Sequence, residues 1–301
     1  MIRAIKVFTV LIVLGTILYF YPPPRLFALK LLGRASACPL RQAMRSYDQI
    51  SGTTAAKDRL LRESRLLEKD PAGFHLWQTP KGRFWMPAGS DYAVFWDLGE
   101  QKMNIYGQDG FGVRAGDVVL DCGANVGVYT RTALDAGARL VIAIEPAPEN
   151  LECLRRNYAG EVRAGQVIIY PKGVWDKDDF LTLTVNPSSS PADSVVLQPD
   201  KSRQGPVVPL TTIDKLVAEL KLDRVDYIKM DIEGAEKEAL IGAQATLAKY
   251  HPRMALSAYH LPGDPVKIPE LVRKGWAGYH MVCGPCLDAG TSIITAVQYF
   301  Y

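Results

Sequence analysis

The chain has 301 residues, of which 48% are hydrophobic and 22% are charged. This composition is ordinary for globular proteins, and it excludes a disordered chain, a collagen and a coiled coil. The formal net charge is only +3. Electrostatics therefore gives no general case for nucleic-acid binding, and we expect none.

The N-terminus contains an apolar run that ends at three consecutive prolines. Residues 7–21 carry no charge, and with residues 4–6 the run reaches the length of the shortest spanning helices, roughly 17 residues. We predict a transmembrane anchor in residues 1–24 that contacts the membrane through residues 5–21. A cleaved signal peptide and a buried core helix are the alternatives.

The basic residues on either side of this run predict its orientation. Those that follow it outnumber those that precede it, namely Arg25, Lys30, Arg34, Arg41 and Arg45 against Arg3 and Lys6. Because positive charge is retained on the cytoplasmic side, we predict a single-pass membrane protein whose C-terminal body lies in the cytoplasm.

The chain has five cysteines at irregular spacing, and this argues against a disulfide framework. The one closely spaced pair is Cys283-Gly-Pro-Cys286. This tetrapeptide occurs in thioredoxin-like redox sites, where it begins a helix early in a small domain. Its place near the C-terminus here favours an ordinary turn over a redox site.

Residues 25–90 form a predicted cap or linker that is helical at first and then rich in aromatic residues. The spacing of leucines in Ala55–Lys69 predicts an amphipathic helix. The aromatic residues of 74–106 are interrupted by glycine and proline, which predicts short strands and turns.

We predict that residues 91–301 form a second domain, the catalytic domain. Five apolar runs alternate with helix-like segments; they begin at Asp117, Leu140, Gln166, Tyr227 and Arg253. Continuous apolar strands that alternate with helices predict an α/β fold with a doubly wound, mostly parallel, Rossmann-like sheet. Residues 181–185 and 206–210 are expected to form a hairpin insertion, and residues 293–301 to close the edge of the sheet.

The strongest motif follows the first of these strands. Asp121 ends the strand, and Gly123, Asn125 and Gly127 follow at alternate positions before a helix begins. Glycines let a backbone approach a ligand closely, and helix starts attract anionic groups. Eighteen residues after Gly127, Glu145 ends the next strand, where a carboxylate can bind a ribose. These residues predict a nucleoside ligand. Asp121 would pair with the ammonium of S-adenosylmethionine, a partner that a dinucleotide lacks.

The chain resembles the FkbM-type S-adenosylmethionine-dependent methyltransferases. Three stretches carry the resemblance: 121–130, 145–157 and 228–243, the last containing Asp-Ile-Glu-Gly-Ala-Glu. The resemblance implies that S-adenosyl-L-methionine is the cofactor and that it is bound by Asp121, Gly123, Asn125, Gly127 and Glu145. It also implies, more weakly, that residues 173–176 lie beside the adenine.

Three further polar residues are candidates for catalysis. Asp231 and Glu233 follow the fourth strand, and His260 follows the fifth, at the edge of the sheet where ligands bind. A histidine titrates near neutral pH and is a natural general base. The alternatives are a helix-capping role for Glu233 and a structural role for His260. The three side chains could hold a divalent metal, but no tight ligand motif supports one, and we expect no metal.

The sequence thus predicts an O-methyltransferase that acts on a hydroxyl of a sugar, glycan, lipid-linked or polyketide acceptor. An NAD-linked or nucleotide-sugar-linked enzyme, and a catalytically inactive scaffold of the same fold, are the alternatives.

Overall fold

The computed structural model of the protein describes residues 6, 9–10, 12–16, 21–35, 38–184 and 204–301. Within this part of the chain, no helix has the length and apolar character needed to cross a membrane. Part of the predicted membrane contact lies outside the described residues, namely positions 5, 7, 8, 11 and 17–20. The anchor therefore stays a prediction.

The N-terminal part packs two helices and a small antiparallel sheet against the catalytic domain. Its elements are α1 (Pro22–Leu31), α2 (Leu40–Glu63), β1 (Arg65–Asp70), β2 (Phe74–Thr79), β3 (Gly82–Pro87) and α3 (Asp91–Lys102). The prediction of a helix over Ala55–Lys69 is wrong beyond Glu63. Leu66 instead pairs with Trp77 of β2, so pairing with the aromatic strand overrides the helical spacing.

The catalytic domain alternates strands with helices. Its first half contains β4 (Val118–Cys122), α4 (Val128–Asp135), β5 (Leu140–Ile144), α5 (Pro148–Asn157), α6 (Ala159–Arg163), β6 (Val167–Tyr170), β7 (Gly173–Val174), β8 (Asp179–Thr184) and β9 (Gln204–Thr211). Strands β8 and β9 pair antiparallel, which confirms the predicted hairpin insertion. Strand β7 pairs with β9 in a small separate sheet.

The second half completes the main sheet. It contains α7 (Ile213–Glu219), β10 (Tyr227–Met230), α8 (Glu236–Ile241), α9 (Gln244–Tyr250), β11 (Arg253–Ser257), α10 (Asp264–Gly275), β12 (Met281–Cys283), β13 (Cys286–Asp288), β14 (Ile293–Thr295) and β15 (Val297–Phe300). The seven strands lie in the order β12-β15-β11-β10-β4-β5-β6. The five predicted strands form the parallel part of this sheet, as expected.

Both faces of the main sheet are buried, which explains why its strands are apolar throughout. Val118, Leu120 and Cys122 of β4 pack into the core on one face, whereas Val119 packs into the core on the other. Successive side chains of a strand alternate between faces, so helices on both sides demand apolar residues at every position.

The end of the chain enters the sheet rather than closing it. Strand β15 pairs antiparallel with β11 on one side and with β12 on the other. The prediction that residues 293–301 close the edge is therefore wrong, and β12 is the edge strand. Phe300 is buried in the core because it has a strand on either side.

A disulfide joins the N-terminal helices to the end of the catalytic domain. Cys38 precedes α2 and is bonded to Cys286 in β13, 248 residues away in the chain. Cys286 thus pairs outside its Cys-Gly-Pro-Cys motif, and the motif forms no internal disulfide. The bond lies in a small core with Leu26, Leu29 and Ile293.

We expect the Cys286→Ser variant to lose about 2–5 kcal/mol of the free energy of unfolding, the usual effect of removing a native disulfide. Denaturant melts of the oxidised protein measure this loss, and the matched comparison is the Cys38→Ser/Cys286→Ser double variant, which should lose about as much as either single variant because all three lack the same bond. Reduction of the wild-type chain should reproduce the effect of Cys286→Ser. Unchanged unfolding under reducing conditions would contradict a stabilising bond.

Candidate functional site

The turn after β4 is shaped by close packing against the end of β10. Gly123 has a positive φ of 78°, and a Cβ at this position would lie 2.0 Å from the carbonyl oxygen of Asp231. Gly127 also has a positive φ, but a Cβ there would lie 2.2 Å from the ring of Tyr158. Gly123 therefore permits the approach of two strand ends, whereas Gly127 permits packing on Tyr158.

A narrow cavity, which we call the slot, opens at the carboxyl ends of β4 and β5. Its walls are largely apolar and are formed by Ile144, Pro146, Gly173, Val174, Leu183 and Leu210. The predicted residues Gly123, Asn125 and Glu145 also line it, whereas Asp121 and Gly127 do not. A flat aromatic base fits such walls, and a doubly wound sheet binds nucleotides at this edge.

The carboxylate of Glu145 organises the polar end of the slot. Its Oε2 accepts a hydrogen bond from the backbone N–H of Asn125 at 2.9 Å, and its Oε1 accepts one from the N–H of Ala147 at 2.9 Å. Oε1 also accepts a longer bond from the side-chain amide of Asn150 at 3.4 Å. Since each carboxylate oxygen can accept two bonds, Oε2 retains capacity for a ligand hydroxyl.

Asp121 lies beneath the slot rather than in its wall. It is fully buried, accepts a hydrogen bond from Thr130 at 2.7 Å, and has its Oδ1 3.4 Å from the ammonium of Lys229. Burial alone would lower the pKa of Lys229, but Asp121, Asp231 and Asp97 raise it above its ordinary value. Lys229 is thus a buried cation. We predicted that Asp121 pairs with the ammonium of S-adenosylmethionine, but in this structure it pairs with the ammonium of Lys229.

A second cavity, which we call the acidic cavity, lies beside the slot and has a volume of about 350 Å³. Its wall combines carboxylates with aromatic rings, and the residues that characterise it are Asp97, Glu100, Tyr92, Trp96, Tyr106 and Tyr259. Burial raises the pKa of Asp97 to about 7 and that of Glu100 to about 8, and neighbouring carboxylates add to both shifts.

The two cavities meet at a shared rim, which consists of Gly123, Asn125, Asp231 and Glu233. Asn125 and Glu233 both have positive φ angles, 50° and 54°. This conformation is common for asparagine but unusual for glutamate, and backbone strain of this kind concentrates at functional sites. Two of the positive-φ side-chain-bearing residues among the described residues thus lie at the junction of the cavities, whereas Asn104, Asp109, Lys221 and His251 lie elsewhere.

The three predicted catalytic residues come together at this rim. His260 Nε2 lies 3.5 Å from Asp231 Oδ1 and 3.6 Å from Glu233 Oε2. Its Nδ1 lies 2.9 Å from Glu236 Oε1, a contact that the sequence did not predict. Asp231 Oδ2 accepts a hydrogen bond from the hydroxyl of Tyr106 at 2.7 Å.

The protonation states of these residues differ. Burial lowers the pKa of His260, but the hydrogen bond to Glu236 and the charge of Asp231 outweigh it and raise the pKa to about 9. For the carboxyl of Glu233, burial has the opposite effect and raises the pKa to about 8. Burial acts in the same direction on Asp231, but Lys229 and His260 outweigh it, so the pKa of Asp231 is lowered. At neutral pH, Asp231 is the member of this trio that is ready to accept a proton.

The same region contains a group of potential metal ligands. Among the described residues, Asp231, Glu236 and His260 each offer a ligand atom, and these atoms lie within 4.8 Å of one another. The set differs from the predicted one because Glu236 replaces Glu233. The imidazole of His260 lies among these carboxylates, but its Nε2, Asp231 Oδ1 and Glu236 Oε2 are buried without a hydrogen-bond partner in the described part of the chain. The cluster therefore leaves polar atoms that a bound ligand or ion would satisfy.

Several site residues were missed from the sequence. Lys229 lies within β10 itself, and its polar character in an apolar strand was the available signal. Glu236 was assigned only to a helix start, although its carboxylate accepts from the backbone N–H of Ile232 and contacts His260. Asp97 and Glu100 are one helical turn apart on α3, and nothing in their spacing distinguishes them from a solvated helix face.

A family model described as the methyltransferase FkbM domain matches residues 121–275, just over half of the chain. The chain belongs to the FkbM methyltransferase family. The matched residues include the turn after β4, Glu145, Lys229 and all three predicted catalytic residues. The resemblance drawn from the sequence motifs is thereby confirmed.

The individual proteins that are similar to this chain share little sequence identity with it. AMB antimetabolite synthetase AmbE of Pseudomonas aeruginosa is 26% identical in an alignment over 184 residues that covers 48% of this chain and 8% of AmbE. The methyltransferase FkbM of Methylobacillus flagellatus KT has a TM-score of 0.47 at 18% identity, covering 85% of this chain and 60% of its own. Trm5 of Methanocaldococcus jannaschii, solved with adenosine, has a TM-score of 0.43 at 15% identity, covering 77% and 56%. The chain thus spans less than two thirds of each.

We predict that His260 titrates with a midpoint near pH 9, which NMR of its imidazole protons measures, with His260→Gln identifying the resonance. Because the folded pKa is raised, the stabilisation from protonated His260 is complete below about pH 6.5, the ordinary value. It is lost as the pH rises through about 9. Glu236→Gln should lower the midpoint and Glu238→Gln should not. A midpoint at or below 6.5 would contradict the ion pairs of His260.

Proposed function

We propose that the protein transfers a methyl group from S-adenosyl-L-methionine to a hydroxyl oxygen of a second molecule. The observation that carries the proposal is the shared rim, at which the apolar slot and the acidic cavity meet through Gly123, Asn125, Asp231 and Glu233. A two-substrate transfer requires two binding spaces that share one boundary, so that donor and acceptor are held in line.

The lining of the slot matches the cofactor that the family implies, and its volume of about 70 Å³ means that only part of the cofactor would lie within it. Its apolar walls, Pro146, Val174 and Leu210, suit an adenine ring, and Glu145 suits the ribose hydroxyls. Gly123 has no side chain at the point where the slot reaches the rim. The cofactor, when bound, supplies an activated methyl group. The residues that would hold it are Gly123, Asn125 and Glu145, with Asp121 acting from beneath through Lys229.

Asp231 is the residue that we assign to the acceptor proton. It lies on the rim, it is ionised at neutral pH, and Tyr106 and Lys229 fix its surroundings. A positioned base that accepts the proton of an alcohol makes its oxygen a better nucleophile. His260 remains protonated in this account and orients Asp231 through their electrostatic contact, so it acts as a positioning residue and not as the base.

The acidic cavity favours a neutral acceptor rich in hydroxyl groups. Carboxyls and tyrosine hydroxyls offer hydrogen bonds, and aromatic rings such as Trp96 and Tyr259 offer flat faces to a sugar or polyketide. We therefore propose a sugar, glycan, lipid-linked or polyketide hydroxyl as the acceptor.

We further propose that residues 5–21 hold the protein at a membrane, with the catalytic domain in the cytoplasm. The proposal rests on the apolar run and on the excess of basic residues after it. The Cys38–Cys286 bond is typical of oxidising compartments and predicts the opposite orientation, so the compartment of the domain is tested directly. Cell fractionation with protease protection decides it, since an extracytoplasmic domain would be cleaved in intact cells.

We expect Asp231→Asn to lower the turnover number about 10²–10⁴-fold, the usual contribution of a general base. The measurement is transfer of tritium from methyl-labelled S-adenosylmethionine to lipid and glycan extracts. Asp223→Asn, whose side chain is 80% exposed, is the matched control and should retain wild-type turnover. Wild-type turnover in Asp231→Asn would contradict the assigned role. Cofactor binding without any transfer by the wild-type chain would favour an inactive scaffold.

A further inference from the structure

A third cavity adjoins the acidic cavity on the side away from the slot. It has a volume of about 230 Å³, and we call it the apolar cavity because hydrocarbon side chains dominate its wall. Helix α2 contributes Ile50 and Thr53, and the end of the chain contributes Leu287, Ala296 and Val297. It shares four residues with the acidic cavity: Trp96, Glu100, Tyr106 and Tyr259.

We propose that the apolar cavity receives a hydrocarbon portion of the methyl acceptor. The acceptor is then an amphipathic molecule, with its hydroxyl-bearing part in the acidic cavity and an alkyl or other hydrocarbon group beneath α2. This inference rests on the proposed function, because it takes the acidic cavity to be the acceptor site. It adds a second subsite and restricts the acceptor class.

The size of the apolar cavity suits a substantial group. An apolar protein cavity of about 150 Å³ stays dry and binds benzene, and this cavity is larger. Burial of hydrocarbon there would remove apolar surface from water on both ligand and protein, which is the main source of affinity for such a group. A short alkyl chain or a ring with substituents fits this volume.

The junction between the two cavities is compatible with the passage of a hydrocarbon. Glu100 lies there and accepts a hydrogen bond from the indole N–H of Trp96 at 2.9 Å. Burial and the charge of Asp97 raise the pKa of Glu100 to about 8, so its carboxyl is mainly neutral at pH 7. A neutral carboxyl beside an aromatic ring costs a passing alkyl chain far less than a buried charge would.

The wall formed by α2 is held in place rather than free to collapse. A Cβ on Gly99 of α3 would lie 2.9 Å from the carbonyl oxygen of Thr53, so the two helices touch at their backbones. Gln108 donates a hydrogen bond to Gln49 of α2 at 3.0 Å. The Cys38–Cys286 bond fixes the start of the same helix to β13. A preformed cavity binds without the cost of ordering its walls.

The test is calorimetric titration of the full chain with 1-butanol, 1-hexanol and 1-octanol. These probes carry one hydroxyl and differ only in alkyl length. The association constant is expected to rise about fourfold for each methylene that the cavity buries. Ile50→Trp and Leu287→Phe place larger side chains in the cavity and should abolish this rise. Leu61→Trp lies on the exposed side of α2 and should preserve it.

Each outcome bears on the inference. An affinity independent of alkyl length, or an equal rise in Ile50→Trp and Leu287→Phe, would overturn it. Alkanol partitioning into lipid also rises with alkyl length, so the decisive quantity is the difference in this rise between Leu61→Trp and the two cavity variants, measured in the same preparation. The titration needs no cofactor, so its result can fail or succeed independently of the proposed function. A chain that binds hexanol in this cavity but not S-adenosylmethionine contradicts the proposed function, whereas the reverse result contradicts the inference.

Discussion

The site depends on one buried cation. The ammonium of Lys229 is nearly inaccessible to solvent, donates a hydrogen bond to the carbonyl oxygen of Gly123 at 2.9 Å, and lies 3.4 Å from Asp121. It thereby ties β10 to the turn after β4, the two strand ends between which the rim forms. Carboxylates buried without such a partner would carry a large desolvation penalty. Lys229 therefore permits Asp121, Asp231 and Asp97 to gather where the ligands are expected to bind.

The same cation divides the carboxyls of the site by their charge. Asp231 is close to both Lys229 and His260 and is ionised, whereas burial raises the pKa values of Asp97 and Glu100. The site thus combines the ionised Asp231 with Asp97, which is partly protonated at neutral pH, and with Glu100, which is mainly neutral. The slot, which suits a nucleoside, adjoins the acidic cavity, and the acidic cavity adjoins the apolar cavity beneath α2. This graded polarity matches an acceptor with a hydroxyl at one end and hydrocarbon at the other.

The sequence predicted the features that depend on neighbouring residues, but not the contacts between segments that are distant in the chain. The strand–turn–helix motif at 118–130 and the apolar strands predicted the parallel sheet, because their constraints lie within a few residues. It also identified Asp231, Glu233 and His260 from their places at strand ends. The pairing of Cys38 with Cys286, the contact of His260 with Glu236 and the pairing of Asp121 with Lys229 were not predicted. Each joins separate elements, and Leu66 likewise followed its partner strand rather than its helical spacing.

The most direct test of the account is calorimetric titration of the full chain with S-adenosylmethionine and, separately, with NAD. The account predicts that the wild-type chain binds S-adenosylmethionine alone. Glu145→Gln should weaken that binding about tenfold or more, since it removes charge-assisted hydrogen bonds. Glu149→Gln, which places the same change on α5 outside the slot, should bind as the wild type does. Binding of NAD, or of neither ligand by the folded chain, would contradict the assignment of the slot.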